Sequence, residues 1–167
     1  NMRFHNLLLA GACCAALALT ATPSAATDAA LRDAVRADYR ANLGDLFDHF
    51  HRNPELSGQE VRTAARMAEE LRALGYTVTE GVGGTGVVAV LENGPGTTVL
   101  IRADMDGLPV EERSGAPNPS RARQVDRDRV ERFVMHACGH DVHITSLVGT
   151  ARQMAARKDK WSGTLVL

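Results

Sequence analysis

Cysteine is scarce, with 3 residues in a chain of 167, too few for a disulfide scaffold. Charge of one sign is not in excess either. The 19 Lys and Arg residues face 20 Asp and Glu, which removes the basic footprint that nucleic acid or an anionic membrane surface would require. Glycine (15) and proline (6) stay near average usage, so no low-complexity linker or internal repeat is expected. Aromatic residues contribute 4%, yet 44% hydrophobic against 23% charged residues is the balance of one ordinary globular domain and excludes disorder. The expected partner is a small molecule.

The first 26 residues read as a leader. Met2-Arg3 supplies a short positive region, Leu7 to Leu19 an apolar run, and Ser24-Ala25-Ala26 a small-residue cleavage site. The run is shorter than the roughly 20 residues a membrane span needs. Residues 1–26 are therefore expected to be a signal peptide, with export to the periplasm or medium and no membrane attachment after cleavage. Cys13 and Cys14 leave with it, and Cys138 remains alone. In an oxidising compartment a lone thiol is expected to be buried and inert, catalytic, or held by a metal.

Beyond the leader, Leu31, Val35, Tyr39, Leu43, Leu46, Phe47 and Phe50 recur at three- and four-residue steps, predicting one amphipathic helix over 29–50. His49 and His51 lie at its end, and Asn53-Pro54 stops it. A second helix is predicted from Ser57, with Ser57 and Glu60 as a capping box and Gly75 as terminator. The period then changes to that of strands at 77–80, 87–91 and 98–101, punctuated by glycines and the turn Asn93-Gly94-Pro95-Gly96. Helices followed by a sheet predict an α/β domain.

Chemistry concentrates in two places. The strand ending at Ile101 is expected to be buried and runs into Arg102-Ala103-Asp104-Met105-Asp106, where ligands bind in open α/β sheets. Two residues apart on an extended segment puts Asp104 and Asp106 on one side. The second place is Met135-His136-Ala137-Cys138-Gly139-His140-Asp141-Val142-His143, which holds three of the six histidines. Cys138 and His140 have the short spacing that lets a thiolate and an imidazole converge on one ion, with Gly139 turning the backbone between them. Asp141 is expected to cap the following helix or to accept the second ring N–H of a ligating histidine.

His51-Arg52-Asn53-Pro54-Glu55-Leu56, Glu60, Gly83-Gly84-Thr85-Gly86, Arg102 to Pro109 and Met135 to His143 together resemble the amidohydrolase branch of the aminoacylase/carboxypeptidase metallopeptidases, home of hippurate hydrolases, N-acyl-amino-acid amidohydrolases and auxin-conjugate hydrolases. The resemblance covers about residues 45–167. It implies a three-layer α/β zinc-peptidase-like catalytic domain, of which residues 27–167 would form the N-terminal part. It also implies hydrolysis of the amide bond of N-acyl amino acids by water activated between two divalent ions, manganese or zinc. Cys138 and His140 would be metal ligands, with Asp104, Asp106 and Asp141 supporting them. The family's general-base glutamate and its later ligands would follow Leu167, so the 167 residues themselves are expected to be inactive, and a homo-oligomer is expected solely of a longer parent. Gly107 stands where alanine is usual, and the charged stretch Arg121 to Arg132 has no assigned role. Glu111 and Glu112, beyond Pro109 in a polar loop, show no sign of being positioned. Two rival readings are a cysteine hydrolase using Cys138 and His140, and an exported fragment or pseudoenzyme that at most binds metal.

Overall fold

Leu43, Leu46 and Phe50 return at steps of three and four residues, and all three are buried. The computed structural model that contains them describes the backbone from Ser24 and the side chains from Ala29, both through Leu167. The leader expected over residues 1–26, with Cys13 and Cys14, lies outside the residues whose side chains are described. The predicted helix over 29–50 is split: α1 (Ser24–Asp38) passes through a π-helical segment (Tyr39–Leu43) into α2 (Gly44–Arg52). There the Gly44 N–H donates to the carbonyl of Tyr39, five residues back. The extra residue in that turn shifts the apolar stripe, because a single 3.6-residue period no longer connects the two halves. Leu31, Val35 and Tyr39 are consequently exposed, whereas the α2 residues reach the core.

The second helix, α3 (Val61–Ala73), starts four residues later than predicted, and the Ser57–Glu60 capping box does not form. Glu60 instead accepts bonds from the Gly58 N–H (2.8 Å) and the Thr85 hydroxyl (2.5 Å), tying the helix start to the glycine turn before the second strand. Glu55 does the capping. Its buried carboxylate accepts from the Thr63 N–H (2.7 Å), the Thr63 hydroxyl (2.9 Å) and Arg62 Nε (3.0 Å). A negative charge there also suits the positive end of the helix dipole. Gly75, at φ 85°, ends the helix as predicted.

Six strands follow: β1 (Thr77–Val82), β2 (Gly86–Asn93), β3 (Thr98–Leu100), β4 (Arg123–Val125), β5 (Glu131–Phe133) and β6 (Gly163–Val166). The main sheet is mixed, in the order β1-β2-β6-β3. Its β1/β2 and β2/β6 pairs are antiparallel and β6/β3 is parallel. The remaining helix, α4 (His140–Ala156), supplies Ile144, Leu147, Val148 and Ala151 to a core shared with Phe50, Met67, Leu71, Ala89, Leu91 and Leu165. The α/β architecture read from the sequence is therefore adopted. The expectation of a buried strand at 98–101 is corrected: β3 is an edge, with Val99 50% and Leu100 68% exposed. Its apolar sequence resembles that of a buried strand because burial depends on neighbours, which sequence periodicity cannot supply.

The charged stretch 121–132 becomes a hairpin of β4 and β5. Arg123 pairs with Glu131 (2.7 Å) and stands over the Phe133 ring (3.8 Å), and Arg132 pairs with Asp126 (2.9 Å). Gln124 of this hairpin accepts the Leu56 N–H at 2.6 Å.

Because Glu55 satisfies three donors at the start of α3, Glu55→Ala is expected to lower stability by about 1–2 kcal/mol, the usual cost of losing a helix cap. Urea unfolding measures this; an unchanged midpoint would show that the cap carries no weight.

Candidate metal centre

Three backbone segments meet before any side chain of the centre is placed. The Gly107 N–H donates to the Glu55 carbonyl at 2.7 Å, and Leu108 and Met135 exchange N–H···O bonds of 2.8 and 3.0 Å. The approach is close: a Cβ at Gly107 would lie 2.8 Å from Val134 Cγ1 and 2.9 Å from Pro54 Cβ, which explains glycine at this position. The junction brings Asp104 and Asp106 alongside the His136–His140 turn. Gly139, at φ 75°, reverses the chain there so that α4 can begin at His140.

His140 and His143 are three residues apart on α4 and so share a face, with ring centroids 5.3 Å apart. His140 Nδ1 lies 2.9 Å from the Asp106 carbonyl oxygen and 3.0 Å from Asp106 Oδ1. A carbonyl oxygen can only accept, so Nδ1 carries the hydrogen and Nε2 keeps its lone pair for a ligand. One donor atom each from Asp104, His140 and His143 lie within 4.8 Å of one another. Two imidazoles and a carboxylate are a donor set that suits zinc or a similar divalent ion, and the fixed tautomer of His140 is what ligation needs. The residues fit a metal. The competing partner of Asp104 is Arg102, whose side chain is 75% exposed, and an exposed pair of this kind is weakly held.

Behind the donors is a layer of buried polar groups. His136 is 5% exposed, and neither ring nitrogen has a hydrogen-bond partner among the described residues. Burial holds its pKa below the ordinary histidine value despite the opposing charge of Asp141. The His51 ring stands between two carboxylates, with Nδ1 2.8 Å from Asp141 Oδ2 and Nε2 3.4 Å from Glu112 Oε1. Glu112 also accepts from the Ser114 hydroxyl and the Ser120 N–H, both at 2.5 Å. Burial opposes its charge, but these bonds together with His51 outweigh burial and hold the carboxyl below the usual glutamate range.

The structure thus places the predicted residues unevenly. Asp104 and His140 come together with His143, while Cys138 is exposed and stands outside that trio. Asp106 is the partner that fixes His140. Asp141, predicted to cap α4 or to hold a ligating histidine, accepts the Val142 N–H (2.9 Å) and binds His51. Sequence reading missed three residues. His143 was legible as the i+3 neighbour of His140. His51 and Glu112 were not, since 61 positions separate them in sequence, and Glu112 is buried rather than loose in a polar loop.

Residues 100–167 match the profile described as Peptidase family M20/M25/M40. That segment is similar to this family. Over 119 residues the chain is 47% identical to thermostable carboxypeptidase 2 of Saccharolobus solfataricus, covering 70% of this chain and 28% of the relative. It is 39% identical over 121 residues to hippurate hydrolase of Campylobacter jejuni, covering 72% and 29%. The crystal structure of Bacillus subtilis YXEP protein, a dinuclear metal binding peptidase from the M20 family, superimposes with a TM-score of 0.66 at 31% identity, covering 78% of this chain and 34% of that one. The chain spans less than a third of the length of the two curated relatives. The family resemblance read from the motifs, and with it the α/β fold class, is borne out.

A depressed folded pKa means that the Glu112 charge stabilises the fold above the ordinary glutamate value, a contribution lost as the pH falls through the lowered one. Glu112→Gln is therefore expected to melt below the parent chain at pH 7, with the gap closing as the pH falls below the ordinary glutamate value. Parallel melting curves across that range would contradict the assignment.

Proposed function

We propose that Asp104, His140 and His143, with Cys138 beside them, belong to the metal-binding part of an amidohydrolase that cleaves the amide bond of N-acyl amino acids. The observation that carries this reading is His140. Its Nδ1–H is tied to Asp106, which leaves Nε2 as the free nitrogen of a ring grouped with a second imidazole and a carboxylate. The M20 segment and a solved relative described as dinuclear support metal binding, and the metal is proposed to be divalent, manganese or zinc, with two ions in a longer protein. A hippurate hydrolase among the relatives supports an N-acyl amino acid as substrate.

When bound, the metal would polarise the amide carbonyl and acidify a water molecule. The chain's own residues have the other tasks. Asp106 fixes the ring and tautomer of His140, and Asp104 adds negative charge facing the cation. Cys138 is proposed as a thiolate ligand at the turn formed by Gly139, and its exposure leaves its sulfur open to a cation shared with residues outside this chain. The described carboxylates around the centre have other tasks: Asp104 is proposed to face the cation, Asp106 bonds His140, and Glu112 and Asp141 bond His51. The proton acceptor is therefore proposed to be a glutamate outside these 167 residues, which by themselves would bind metal without turnover. Residues 27–167 would serve as the N-terminal part of the catalytic domain, with export directed by residues 1–26 and oligomerisation reserved to the longer protein.

Two measurements test this. The 167-residue chain should bind zinc or manganese and show no hydrolysis of N-acyl amino acids. A longer protein containing it should hydrolyse them, lose activity on chelation and regain it on metal return. In that protein Cys138→Ala should lower metal occupancy and activity together, with metal affinity down at least about 10-fold. Activity indifferent to chelation would sink the proposal, and unchanged occupancy in Cys138→Ala would remove the thiolate from it.

A further inference from the structure

His51 comes from the end of α2, Glu112 from the loop after Pro109 and Asp141 from the first turn of α4, so the imidazole joins three separated stretches of chain. Both carboxylates are nearly sealed from solvent, with side-chain exposures of 1% for Glu112 and 4% for Asp141, against 14% for His51. Buried carboxylates are costly unless paired, and His51 is the shared partner. The ring is fixed further by stacking on Phe47, with centroids 5.7 Å apart. Asp141 follows His140 directly and its other oxygen accepts the Val142 N–H, within the turn of helix that presents His140 and His143. Glu112 is anchored independently by Ser114 and Ser120. A rigid support therefore runs from Glu112 through His51 to Asp141, arriving one residue from a metal donor.

We propose that His51 is a positioning residue for the metal centre: by bridging Glu112 and Asp141 it locks the first turn of α4 and so sets the separation of the His140 and His143 donors. This rests on the metal-centre reading above. It touches neither substrate nor metal, and its effect passes through Asp141. Removing the ring leaves Asp141 buried without its 2.8 Å partner, and the turn carrying His140 and His143 is then free to settle elsewhere. Loss of a supporting partner behind a metal ligand typically weakens metal affinity by about 10–100-fold.

The test measures zinc affinity of the full chain by competition with a chromophoric chelator, and the visible spectrum of the cobalt(II) form, for the parent, His51→Ala, His51→Asn, Asp141→Asn and the double variant His51→Ala/Asp141→Asn. Asparagine keeps a donor near the Nδ1 position and discards the stack on Phe47 and the reach to Glu112. His51→Ala and Asp141→Asn should each weaken zinc binding about 10–100-fold and shift the cobalt bands. The double variant should be no worse than either single one, and His51→Asn, which keeps the Asp141 contact but loses Glu112, should remain clearly weaker than the parent. Metal-free melting curves accompany each variant; if His51→Ala does not fold, His51→Asn and Asp141→Asn decide. Parent-like affinity in Asp141→Asn, additive losses in the double variant, or parent-like affinity in a folded His51→Asn would each overturn the bridge while leaving the metal centre standing. A parent chain that binds no zinc would instead overturn the metal-centre reading, and the inference with it.

Discussion

The backbone junction at Gly107 is the constraint on which the rest of the centre depends. One bond from the Gly107 N–H to Glu55 and the reciprocal pair between Leu108 and Met135 bring together segments that are about 50 and 30 residues apart along the chain. Backbone bonds of this kind orient everything attached to the segments they join. Glu55, fixed by its carbonyl on one side, caps α3 with its carboxylate on the other. Asp106, one residue before the junction, reaches His140, and Met135 leads into the turn that starts α4. No side chain larger than hydrogen fits at Gly107 without displacing Val134 or Pro54. The closeness of the backbones is thus what places acid and imidazole within reach.

Electrostatics near the centre differ in kind from those on the surface. The outer pairs, such as Arg72 with Glu80 or Arg123 with Glu131, join side chains that are each roughly half exposed, and solvent screening leaves such pairs little weight in stability. Glu112, His51, Asp141 and His136 instead sit where water is largely excluded. There an unpaired charge is expensive, so geometry must be held by mutual satisfaction. Burial of His136, whose ring nitrogens have no hydrogen-bond partner among the described residues, holds its pKa below the ordinary histidine value. The centre thereby combines donors open to a cation with a supporting layer in which His51 bridges two buried carboxylates.

The helical half of the molecule shows how one inserted residue changes the use of a stripe. The π turn at Tyr39–Leu43 separates an α2 that feeds the core from an α1 whose Leu31 and Val35 border an open apolar groove with α4 and Trp161. Among the described residues, Asp38 ties the two together through Arg152 of α4 at 2.9 Å. Local hydrophobic periodicity alone would have rotated the same face toward the core along the whole length.

The sequence by itself determined the α/β class, the positions of β1, β2 and β3, the stop of α3 at Gly75 and the two segments in which the chemistry concentrates. These follow from local rules: strand and helix periods, the conformational freedom of glycine at positive φ, and the density of ligand-type side chains between Met135 and His143. The family resemblance is legible for the same reason, since its motifs are short and contiguous. What the tertiary structure decided is non-local. It gave capping of α3 to Glu55 instead of Ser57, put β3 at an exposed edge, turned the 121–132 stretch into a hairpin, and handed Asp141 to His51 and Asp106 to His140. Each of these depends on which groups meet after the chain has closed on itself, and on how much water they then exclude. A linear pattern encodes which residues can pair; burial and distance select which of them do.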